Sequence, residues 1–137
     1  MKADGSLWAF GSNAFGQLGV AINAGVDMSN STPMQVMTKV RAIAAGRYHS
    51  LVLKADGSLW TFGSNGSGEL GRPLDVDTLA TIYGQNPTLT QVMTGVRSIA
   101  AGGTHSLALK ADGSLWGFGA NGSGQLGATA DYLSAFA

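Results

Sequence analysis

Two triplets of residue types invite a catalytic reading: His49, Ser50 and Asp56, and again His105, Ser106 and Asp112. An imidazole, a hydroxyl and a carboxylate are the parts of a nucleophilic triad, in which the imidazole takes the hydroxyl proton. The spacing argues against that use. Histidine and serine are consecutive in "HSLVLK" and "HSLALK", and neighbours on a strand point to opposite faces. The triplet also recurs at a spacing of 56 residues, whereas a catalytic site is assembled once from unlike, converging groups. The expectation is therefore no catalytic residue, with the histidine hydrogen-bonding backbone of its own or the next repeat.

Other chemical signals dissolve in the same way. "GFGANG", Gly117 to Gly122, fits the G-x-G-x-x-G pattern of dinucleotide sites, but that site needs a helix to follow the turn, and here a second Gly-rich turn follows. Asp75 and Asp77 in "RPLDVDTLATIYG" are two carboxylates without further oxygen ligands nearby, which reads as a solvated loop. With no cysteine there is no thiolate metal site and no disulfide. No metal and no cofactor are expected. Asn30, Asn65 and Asn121 stand in glycosylation sequons; the last two, in Asn-Gly-Ser, read as hairpin-type turns that need positive φ.

The bulk properties exclude two partner classes. Eight Lys plus Arg balance eight Asp plus Glu over 137 residues, and only 12% of the chain is charged. Such a surface has no general attraction for phosphate backbones or anionic lipid, so neither nucleic acid nor membrane is expected. The start "MKADGSLWAF" lacks an apolar core of signal-peptide length, and a soluble chain is expected.

What must position these residues is a repeat. "KADGSLWAFGSNAFGQLG", "KADGSLWTFGSNGSGELG" and "KADGSLWGFGANGSGQLG" begin at Lys2, Lys54 and Lys110. Trp8, Trp60 and Trp116 are 52 and 56 residues apart, the length of a propeller blade or solenoid turn. The apolar period is two: Leu59 and Thr61 face one way, Trp60 and Phe62 the other, after an Asp56-Gly57 turn signal and before Gly63. Four short strands recur per unit: A at the His-Ser-Leu, B at the Leu-Trp-x-Phe-Gly, C at Gln35–Thr38 and Gln91–Thr94, and D at the Val-Arg-x-Ile-Ala-Ala-Gly. Gly-rich turns joining four short strands predict an all-β chain of antiparallel propeller blades. Gly46, His49, Asp56, Gly57, Trp60 and Gly63 recur as Gly102, His105, Asp112, Gly113, Trp116 and Gly119, and are expected to be structural.

The chain divides by repeat into 1–53 (strands B, C, D, then A of the next blade), 54–109, a partial third unit 110–127, and a tail 128–137. Met1 stands where Leu53 and Leu109 stand in the later copies. An incomplete propeller is expected, either a fragment of a longer one or part of an oligomeric ring, because blades bury their faces only against other blades.

"AAGGTHSLALKADGSLWGFGANGSGQLG" resembles the repeat of the regulator of chromosome condensation family. The resemblance covers the chain apart from the two B-to-C loops and the last ten residues. It implies a propeller, usually seven-bladed, that presents loops to another protein. Where the family has a tryptophan before the glycine closing strand B, this chain has Phe10, Phe62 and Phe118, and the signature of the family's plant ultraviolet photoreceptor is missing at "GRYHS" and "GGTHS". Family members include a nucleotide exchange factor for a small GTPase, a beta-lactamase inhibitor, ubiquitin-ligase scaffolds and bacterial repeat proteins, and the likeness of the copies suggests a bacterial source.

The copies differ most in the B-to-C loops and the D-to-A linkers, which alternation of strand direction places at one end. Arg47, Tyr48, Arg72, Asp75, Asp77 and Tyr83 are the candidate binding residues there, arginine and tyrosine being favoured at interface centres. The expected function is a non-enzymatic protein-interaction module or scaffold. The alternatives are a self-assembling segment that closes a ring with other copies, and a guanine nucleotide exchange factor-like regulator.

Overall fold

Strands recur from Leu7 onward, because the period-two pattern returns after each turn and each B-to-C loop. The computed structural model describes residues 1–26, 28–72 and 86–127, and among them there are nine strands and no helix. β1 (Leu7–Ser12) and β2 (Ser29–Met37) form a two-stranded sheet. β3 (Val40–Ala45), β4 (His49–Lys54), β5 (Leu59–Gly63) and β6 (Thr90–Met93) form the central four-stranded sheet. β7 (Val96–Ala101), β8 (His105–Lys110) and β9 (Leu115–Gly119) form the third. All pairings are antiparallel between consecutive strands.

The hydrogen-bonded unit is D-A-B-C. Strand D, β3, pairs with the strand A that follows it, β4, through Ala45 opposite Ser50. The link from C to D is only Thr38-Lys39 or Thr94-Gly95, yet it carries the chain into the next sheet. Both Lys39 (φ 57°) and Gly95 (φ 68°) take the left-handed conformation there. The central sheet thus spans Val40 to Met93, with its origin one strand earlier than the histidine-based lettering. Strand C is also longer in the first sheet than the sequence suggests, beginning at Ser29.

Both faces of the central sheet are buried at its inner strands β4 and β5, while the edge strands β3 and β6 are partly exposed. Leu51, Leu53 and Leu59 pack with Val96, Ala108 and Phe118 of the third sheet. On the other face, Val40, Val52 and Phe62 pack with Leu7 of the first, and Trp60 lies against that cluster. The apolar core is therefore two layers between three sheets. Fully burying one such side chain contributes about 1.5–3 kcal/mol. The outer faces show the same positions without a neighbour: Phe10 is 63% exposed where Phe62 is 2%, and Leu115 is 49% exposed where Leu59 is fully buried.

Candidate functional site

The Lys-Ala-Asp-Gly-Ser-Leu-Trp segment closes on itself. In the central copy the amide of Lys54 donates to the Ser58 carbonyl and that of Gly57 to the Lys54 carbonyl, with Gly57 left-handed (φ 83°). This is a three-residue turn with a glycine bulge rather than a two-residue one. The Asp56 carboxylate accepts from the Ser58 hydroxyl (2.5 Å) and amide (2.9 Å), and the indole of Trp60 donates to the same hydroxyl (2.9 Å). Asp4, Ser6 and Trp8 repeat this arrangement, as do Asp112, Ser114 and Trp116. The serine hydroxyl, then its amide, holds each aspartate carboxyl below the ordinary value of 3.8. Lys2, Lys54 and Lys110 lie over the respective indole rings at 4.0, 5.7 and 5.6 Å. The carboxylates that the triad reading needed are thus committed to their own turns.

The histidine and serine serve opposite junctions. His49 and Ser50 point to opposite faces of β4, and Ser50 donates to the Gln17 carbonyl of the first sheet's B-to-C turn (2.9 Å). His49 turns the other way, its Nε2 lying 2.9 Å from the hydroxyl of Ser106 in the third sheet. Ser106 donates its one proton to the Glu69 carbonyl (2.8 Å), so His49 must be the donor and carries its proton on Nε2. The sequence-based expectation of a backbone partner is corrected here: the imidazole reaches backbone only through the serine of the next sheet. Burial lowers the His49 pKa below 6.5; Glu69 opposes that shift and His105 adds to it.

Gly46 makes room for this ring. A Cβ there would lie 2.0 Å from His49 Cε1, and one on Gly102 would lie 2.1 Å from His105 Cε1. No side chain fits, which explains why the Ala-Ala-Gly precedes each histidine. Gly63 and Gly119 likewise close β5 and β9 where a Cβ would meet the Tyr48 and Thr104 carbonyls at 2.5 and 2.6 Å.

Asn65 and Asn121 correct another expectation, since among the described residues only Asn23 and Lys39 are non-glycine positions with positive φ. Asn65 is buried and brackets its loop: its carbonyl oxygen accepts from the Leu70 amide (3.0 Å) and its Nδ2 donates to the Arg72 carbonyl (3.2 Å). Asn13 does the same with Leu18, Val20 and Ile22. The "GFGANG" stretch runs from β9 into turns, with no helix among the described residues.

At the end of the sheets where the B-to-C loops and D-to-A linkers meet, Tyr48 has two side-chain neighbours. Its ring stacks on Phe15 of the first loop at 4.3 Å between centroids, and the Arg47 guanidinium lies over the Tyr48 ring, 5.0 Å from its centroid. Arg47 is exposed, and its backbone amide donates to the Gly103 carbonyl (3.1 Å), tying this linker to the next. Arg72 is not part of this stack; it donates to the Thr90 hydroxyl at 2.8 Å. Asp75, Asp77 and Tyr83 lie outside the described residues. Phe15 escaped sequence reading, although it stands out as the aromatic residue where the other copies have Ser67 and Ser123. Among the described residues no group of three or more His, Cys, Asp or Glu is placed to hold a metal ion.

Comparison with known proteins accords with this architecture. The regulator of chromosome condensation (RCC1) repeat matches residues 4–53 and 56–109, and a second model of that repeat matches 40–69 and 96–125. The human probable E3 ubiquitin-protein ligase HERC6 is 33% identical over 128 residues, covering 89% of this chain and 12% of that protein. The guanine nucleotide exchange factor SRM1 of Saccharomyces cerevisiae is 32% identical over 133 residues, covering 87% of this chain and 28% of that protein. The chain therefore spans only a minor part of the length of these relatives. Among solved structures, Prp20p from Saccharomyces cerevisiae, described with its binding properties to Gsp1p and histones, superposes with a TM-score of 0.83 at 28% identity, over 98% of this chain and 34% of Prp20p. Yeast RCC1 (Prp20) bound to Kap60 gives 0.74 at 29% identity, over 88% and 29%. With the repeat matching most of its length and its sheets superposing on propeller blades, this chain belongs to the regulator of chromosome condensation (RCC1) repeat family.

Proposed function

We propose that the chain is a non-enzymatic protein-interaction module that recognises its partner with the loop end. The observation that carries this reading is the Phe15–Tyr48–Arg47 stack. It brings Phe15 of the loop after β1 against Tyr48 of the linker before β4, with the exposed Arg47 guanidinium over the Tyr48 ring, and tyrosine with arginine is the combination favoured at interface centres. The recurring polar residues support the non-enzymatic half, because Ser106 and Asp56 are already engaged in junction and turn hydrogen bonds.

The test is partner capture by photo-crosslinking in cells, comparing the parent protein with Tyr48→Ala/Arg47→Glu and with Lys54→Glu on the opposite end. Loss of the crosslinked partner in the first variant and retention in the second is expected; equal capture by all three contradicts the reading.

The similarity to SRM1 motivates a second reading, a regulator of a small GTPase. Acceleration of nucleotide release from a purified GTPase would favour it. Ring closure with other copies is the third, read out by light scattering across a dilution series.

A further inference from the structure

We propose that His49 is an acid-operated latch between the second and third sheets, closed when its ring is neutral and opened by a second proton at Nδ1. The geometry leaves that proton nowhere to go. Nε2 already carries one and donates it to Ser106, whose own proton is committed to the Glu69 carbonyl. Nδ1 is buried without a hydrogen-bond partner, and the ring is 1% exposed against Gly46. Protonation would make Nδ1 a charged, buried donor with no acceptor, a state far more costly than an unpaired neutral group. The cation is accommodated only if the ring leaves the junction for water.

The surrounding charges do not rescue it. From the turn after β5 the nearest is Glu69, which favours the cation but whose carboxylate is held by the Ser67 amide. From β8 it is His105, which disfavours it. β5 carries no titratable residue; β7 carries Arg97, and β3 carries Arg41, whose guanidinium donates to the Val96 and Arg97 carbonyls. On the histidine's own segment Arg47 stacks on Tyr48, and Lys54 lies at the far end of β4.

The sign follows from linkage. A base whose folded pKa is depressed stabilises fully above its unfolded value, near 6.5, and loses that contribution as pH falls below it. The open population should rise by up to tenfold per pH unit in that range. The turn carboxyls of Asp4, Asp56 and Asp112 are held below 3.8, outside that range. The same linker carries Arg47 and Tyr48, so opening would also loosen the loop end, although the latch itself does not depend on what that end binds.

Hydrogen exchange by mass spectrometry, corrected for the intrinsic pH dependence, tests this on peptides covering residues 46–53 and 96–110 at pH 7.5 and 5.0. The wild type and His105→Gln should both show several-fold to tenfold faster corrected exchange per unit of acidification below about 6.5. His49→Gln, which keeps a donor for Ser106 but cannot charge, should be flat. A wild type without the rise, or a His49→Gln with it, overturns the proposal. Should His49→Gln fail to fold, imidazole nitrogen NMR on the wild type decides. The Nε2–H tautomer at pH 7.5, charging only as junction amides lose protection, is expected; a ring that charges while those amides stay protected overturns it.

Discussion

At the scale of single residues, the repeated motif is explained by close approach. Gly46 is glycine because the His49 ring occupies the place of a Cβ, whereas a Cβ on Gly66 would meet nothing within 4 Å and its φ is not left-handed. Gly46→Ala should therefore cost about 1–3 kcal/mol, as overpacking does, and Gly66→Ala should be neutral or stabilising by up to about 1 kcal/mol, read from urea unfolding midpoints. Equal effects would contradict the packing account. Sequence alone exposed both the glycine and the histidine, because each recurs at repeat spacing. It did not reveal their contact, because the linker conformation that folds the His49 ring over Gly46 leaves no periodic signal, nor Phe15 beside Tyr48, because nothing in one copy says which residues of another copy stand opposite.

At the scale of elements, the turn between strands A and B is a local device. Ser58 is buried, bonded at once to Asp56 and to the Trp60 indole, so Ser58→Ala leaves the indole donor without that acceptor. A loss of about 1 kcal/mol, with a change in tryptophan emission, is expected. The pH dependence follows with its sign. The Asp56 pKa is depressed, so its contribution is complete above the unfolded value near 3.8 and is lost as pH falls through the lower folded value. Acid titration of stability should therefore show a decline below about pH 4 that is shallower in Ser58→Ala. Strand existence and the glycine turns were legible because period two and Asp-Gly are local signals. The grouping of strands was not: a two-residue link such as Thr38-Lys39 looks like a hairpin, yet it delivers Val40 to a new sheet, its amide bonding to the Gly5 carbonyl.

At the scale of the whole molecule, stability comes from sheets facing one another, and the same residue type should matter only where a neighbour covers it. In this 137-residue chain, Phe62→Ala should cost about 3–5 kcal/mol, while Phe10→Ala, at 63% exposure, should stay within about 0.5 kcal/mol. Calorimetry on the pair reads the difference, and comparable losses would contradict the layered arrangement. The all-β repeat architecture was readable from sequence, since the spacing of Trp8, Trp60 and Trp116 is a property of the chain itself. The side chains that fasten one sheet to the next were not, because His49 and Ser106 are 57 residues apart and meet only once the sheets stack. That His49 and Ser106 fasten the second sheet to the third, while Asp56 stays in its own turn, is read from a double-mutant cycle on His49→Ala and Ser106→Ala, measured by chemical denaturation. A coupling of about 1 kcal/mol is predicted for a neutral hydrogen bond across the junction, and additive losses, with coupling below about 0.3 kcal/mol, would contradict it.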